Sequence, residues 1–134
     1  MTNEIRKVNL VGIINEGIKE DPGHYGYAFL PLKLSSIPDP RWVEILKHEY
    51  ETYAHSKKRN LAEQRNDEIL LHIGEEDDLQ TLYDIVKEVI EATNKEIDRR
   101  NVGIFAQEEE RDQENQRRKE RIDLLKEKAN KVKL

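Results

Sequence analysis

No apolar side chain occurs between Gln107 and Arg121, yet the chain on either side is patterned as helix. Such a stretch has no face to bury, so it cannot contribute to the core of a small domain. It is a solvated helix, a helix held by ion pairs, or a segment without fixed structure. Glu114 with Arg118, and Glu127 with Lys131, stand in the favourable i,i+4 order, each contributing a few tenths of a kcal/mol to a helix. Acids cluster early in this region and bases late, in agreement with the helix dipole. Beyond it Ile122, Leu125, Ala129 and Val132 return at spacings of three and four, a short apolar patch that is expected to pack against a neighbour. Ile104 and Phe105, the last apolar residues before the polar stretch, complete the candidate interface. Residues 106–134 are therefore read as a charged helical extension, coiled-coil-like or partly disordered. Residues 1–105 are read as a compact α+β domain.

Composition narrows the function. Charged residues make up 38% of the 134, well above the usual quarter, and the net charge is -5. That mild acidity argues against a dedicated nucleic-acid binder, which shows a basic excess. Cysteine is absent, which removes disulfides, thiolate nucleophiles and Cys-based zinc sites. No apolar run approaches the ~20 residues that span a bilayer. The first residues lack the basic-then-apolar layout of a signal peptide, so a cytoplasmic location away from membranes is expected.

The first hundred residues read as β-β-α-β-β followed by a helix. Arg6 to Asn15 is patterned as a strand, with Val8, Leu10 and Ile14 on one face and Val11 and Ile13 on the other. Asp21-Pro22-Gly23 is a turn signature, and Tyr25 to Leu34 is the returning strand. On it Ala28, Leu30, Leu32 and Leu34 share one face; Tyr25, Tyr27 and Phe29 share the other and are expected to pack under a helical layer. Pro31 cannot donate a ladder hydrogen bond, which predicts an edge strand or a bulge. Asp39 and Pro40 form a helix start, and Trp42, Ile45, Leu46, Tyr50 and Tyr53 give one apolar stripe up to about Ala54. Trp42 is expected to be a core anchor. Leu61 to Arg65, the turn Asn66-Asp67, and Glu68 to Gly74 form a second hairpin. Glu75-Glu76-Asp77-Asp78 is expected to open the long helix, whose stripe runs from Leu79 through Ile97. Gly103 is a weak point at which that helix is expected to bend or stop. The fold class that follows is a small antiparallel sheet covered by one short and one long helix.

Chemistry-bearing patterns are sparse. His48 and His55 stand i,i+7, but a zincin needs a second His at position 52, which is Thr. They read as surface histidines, and neither a metal nor a cofactor is expected. Ser35, Ser36 and Ser56 lie in no nucleophile-elbow context, and no Gly-rich run joins a strand to a helix. The best candidate for an anion site is Lys57, Lys58, Arg59 and Arg65, with Tyr25 and Tyr27 as stacking surfaces; it would take a nucleotide or RNA. The leading expectation is a non-enzymatic interaction or regulatory protein. It would self-associate, or dock a protein partner, through its long C-terminal helix.

Overall fold

A computed structural model describes residues 3–133. Among these are five strands, β1 (Leu10–Ile13), β2 (Lys19–Glu20), β3 (Tyr27–Leu34), β4 (Leu61–Arg65) and β5 (Glu68–Gly74). Two α-helices, α1 (Pro40–Thr52) and α2 (Leu79–Asn130), and a single 3-10 turn at Asn15–Gly17 complete the order. The fold is α+β, an antiparallel sheet with one short and one long helix, as the sequence pattern predicts. The chain divides into two compact units, Ile5–Asp98 and a second made of residues 1–4 with Arg99–Leu134.

Within Ile5–Asp98 the sheet order is β1-β3-β5-β4, with β2 also paired to β3. The β3–β5 register sets Leu30 opposite Leu71 and Leu32 opposite Ile69, and all four are buried. The buried side chains of α1 (Trp42, Ile45, Leu46, Tyr50) and of α2 (Leu82, Ile85, Val86, Val89, Ile90, Ile97) complete this core. Trp42 is the anchor its helical phase predicts, fully buried, with its indole N–H donating to Asn94 Oδ1 at 2.9 Å. α1 begins where expected: Asp39 accepts from the Arg41 N–H at 2.9 Å and Pro40 takes the first helical position.

Four expectations need correction. Pro31 lies in β3, which is a central strand, not an edge. Its carbonyl accepts from the Ile14 N–H at 3.0 Å, and the absent N–H of Pro31 would point to that same side. On that side β1 ends opposite Leu32 and β2 begins opposite Phe29. The edge is thus interrupted at the one residue of β3 that cannot donate. The 3-10 turn crosses the gap so closely that a Cβ on Gly17 would stand 2.8 Å from Pro31 Cγ, which leaves room only for glycine.

Residues 6–9 do not form a strand, because their backbone groups are met by side chains. Asn94 Nδ2 donates to the Val8 carbonyl at 2.8 Å, and the Asn9 N–H donates to Ser35 Oγ at 2.9 Å. β1 also carries a bulge at Val11 that sets Leu10 and Ile13 opposite Leu34 and Leu32, on one face. Glu75 and Glu76 lie in a turn ahead of α2. Asp78 is the residue that caps the helix, accepting from the Gln80 N–H at 3.1 Å and the Thr81 hydroxyl at 3.0 Å. Finally, α2 runs through Gly103 without a break.

Candidate functional site

The face of the sheet opposite the core carries a close group of titratable side chains, Asp21, His24 and His72. The β3–β5 register that turns Leu30 and Leu71 inward sets Phe29 opposite His72 on the other face. The His72 ring stacks on Tyr27 with centroids 5.0 Å apart and lies 5.4 Å from Phe29, so two aromatic rings fix its plane. This corrects the expectation that Tyr27 and Phe29 pack under a helix. Tyr25, ahead of β3, is fully exposed.

Above His72 stands the turn Asp21-Pro22-Gly23-His24. Asp21 Oδ1 accepts from the Gly23 N–H at 2.8 Å, the local bond that makes Asp a turn former. This leaves Oδ2 free to face the rings, 2.9 Å from His24 Nδ1 and 2.8 Å from His72 Nε2. The Gly23 N–H is the main cause holding the Asp21 carboxyl below its usual range; burial opposes it and the two imidazoles add to it. The Asp21 side chain is 12% exposed and that of His24 66%. A cavity of about 420 Å³ beside the turn is lined by Glu20, Asp21, His24, Tyr27, Ile73 and Glu75, among others. Among the described residues, Asp21, His24 and His72 form the one group of three metal-capable side chains, with ligand atoms all within 4.8 Å of one another.

Neither His24 nor His72 is among the residues singled out from the sequence. They are separated by a helix and two strands, and only strand register brings them together. His48 is exposed on α1, while His55 lies past the end of that helix, accepting from the Lys57 N–H at 3.1 Å.

Of the proposed anion-site residues, the structure groups Lys57, Lys58 and Arg59 around a cavity of about 310 Å³ shared with Glu76, Asp77 and Asp78. Arg59 makes a two-nitrogen pair with Asp77, at 2.9 Å from Nε and 2.6 Å from Nη2. That pair is the main cause holding the Asp77 carboxyl below its usual range. Lys58 Nζ donates to the Tyr50 carbonyl at 2.8 Å and lies 5.2 Å from the Tyr50 ring centroid. Arg65 sits at the end of β4, 3.9 Å from Glu63; neither it nor Tyr25 nor Tyr27 lines that cavity, although Tyr27 is near enough to Arg59 to act on it electrostatically.

In the second unit, Ile104 is half-buried, whereas Phe105, Ile122, Leu125, Ala129 and Val132 are exposed, Leu125 at 53%. Val132 lies beyond the last helical residue, Asn130. Arg118 Nε donates to Glu114 Oε1 at 3.3 Å, the i,i+4 pair the sequence predicts. No helix among the described residues is long and apolar enough to cross a membrane.

No family model matches the chain, and neither a curated protein nor a solved structure matches it.

Proposed function

We propose that the protein is a non-enzymatic interaction protein whose partner through the C-terminal part of α2 is a second copy of itself, bound antiparallel. The observation that carries this reading is a helix continuous to Asn130 whose second half has exposed apolar residues and a divided charge pattern. From Gln107 to Gln116 there are five acidic side chains against one basic, a net of -4. From Arg117 to Lys133 there are eight basic against three acidic, a net of +5. Two such helices repel when laid parallel and in register; turned end to end, each acidic part meets a basic one.

The spacing gives a register. Ile104, Glu108, Arg111, Asn115, Arg118 and Ile122 alternate by four and three, the seam of a coiled coil, and Leu125 and Ala129 continue it. If Ile104 faces Ile122 of the second copy, the same two-fold arrangement sets Glu108 against Arg118 and Arg111 against Asn115. Polar seam positions weaken a coiled coil and select its register, so the association is reversible and specific. The other reading from the sequence, an anion or RNA site at residues 55–65, would have to compete with Asp77 for Arg59.

Sedimentation equilibrium of the full chain tests the proposal. The expected result is a monomer–dimer equilibrium that Glu108→Arg or Arg118→Glu shifts towards monomer and the double exchange restores. A parallel pair would be indifferent to the exchange, since each position would meet its own copy. A monomer at all concentrations, or a double exchange that restores nothing, overturns the reading.

A further inference from the structure

We infer that Asp21, His24 and His72 form a binding site for a divalent transition metal, with zinc the best fit. The donor set is two imidazole nitrogens and one carboxylate oxygen, the borderline ligands that suit zinc and leave one of four tetrahedral positions for water or a further ligand. Three features separate the cluster from a chance ion pair. The ligand atoms come from two segments 51 residues apart and converge on one oxygen, Asp21 Oδ2. That oxygen is oriented by the bond from the Gly23 N–H to its twin, as ligating carboxylates are held by second hydrogen bonds. The His72 ring cannot rotate freely, because Tyr27 stacks on one side of it and Phe29 lies against it.

The two carboxylate–imidazole distances require only a small adjustment, and the two imidazole nitrogens lie within 4.8 Å of each other. Ligand atoms ~2.1 Å from a tetrahedral zinc stand ~3.4 Å from one another, and Oδ2 now lies 2.9 and 2.8 Å from the two nitrogens. Each imidazole and the carboxylate must therefore part by about half an ångström. His24 can supply much of this, being exposed and in a turn. The ligating nitrogens must carry no proton, so each ring holds its N–H on the other nitrogen, His24 on Nε2 and His72 on Nδ1. The cavity bounded by Asp21, His24 and Tyr27 gives the fourth position access to solvent. A metal here clips the β2–β3 turn to the centre of the sheet and adds stability to the folded chain by mass action.

The test uses untagged full-length protein freed of metal by chelator, titrated with zinc by calorimetry and with Co²⁺ by visible absorption. One equivalent of each should bind, cobalt should give the intense bands of a four-coordinate site, and zinc should raise the melting temperature. His24→Gln and His72→Gln should each weaken zinc binding at least about tenfold, the loss that even outer-shell changes cause at metal sites. His48→Gln and His55→Gln should leave it unchanged. His24→Gln alters an exposed side chain, so its loss of binding is not a folding failure. No saturable binding at millimolar zinc, or equal affinity in the His24 and His72 variants, overturns the inference.

Discussion

The carboxamide of Asn94 is bonded at both ends: its oxygen accepts from the indole N–H of Trp42, and its nitrogen donates to the carbonyl of Val8. Val8 and Trp42 are fully buried, so removing the amide strands polar groups away from water. Asn94→Leu should destabilise the protein by about 2–6 kcal/mol in chemical denaturation, from two groups left unpaired at ~1–3 kcal/mol each. Sequence periodicity found Trp42 because its neighbours in the stripe are apolar. It missed Asn94, since a polar residue beside the stripe of α2 looks the same whether it faces water or a buried backbone. His72 was missed for a related reason: its outward phase on β5 was visible, but what stood across from it was not. Tyr50 gives a second prediction at this scale. Burial pushes its phenol up to about 12, while in the unfolded chain it ionises near ~10. Between those values the folded chain keeps a proton the unfolded chain has lost, so this contribution is complete below about pH 10 and falls as pH rises through the window. The denaturation midpoint of Tyr50→Phe should decline less steeply than that of the parent above about pH 10.

Elements whose signals are local were legible in the sequence. The Asp39-Pro40 start, the stripe of α1 and the hairpin around Asn66, where φ is 53°, rest on neighbours in the chain. The place of β3 was not legible, because its pairing with β5 joins strands on either side of α1 and β4, and sequence order favours neighbours. Pro31 pointed to an interruption in the ladder, which exists, but in the partner strands. Gly103 misled in the opposite direction: its cost is about 1 kcal/mol, too small to stop a helix with long runs of good helix formers on both sides. A Cβ at this position would meet nothing within 4 Å. Gly103→Ala should therefore raise stability by about 0.5–1 kcal/mol, read as a higher melting temperature by circular dichroism.

For the molecule as a whole, the proposed self-association through the C-terminal seam would make stability depend on concentration. The melting temperature of the helical signal should rise with chain concentration, and Leu125→Asp should remove that dependence. A parent protein whose melting is the same at all concentrations would count against a dimer. The clasp between Val8 and Asn94 has a further consequence, for the order of events during synthesis. Val8, made long before α2, finds the buried partner of its carbonyl only after α2 has been made well past Asn94. The hairpin of β4 and β5 closes on itself much earlier. The segment around Val8 is thus made well before the helix that holds it, and until that helix emerges a chaperone has access to it.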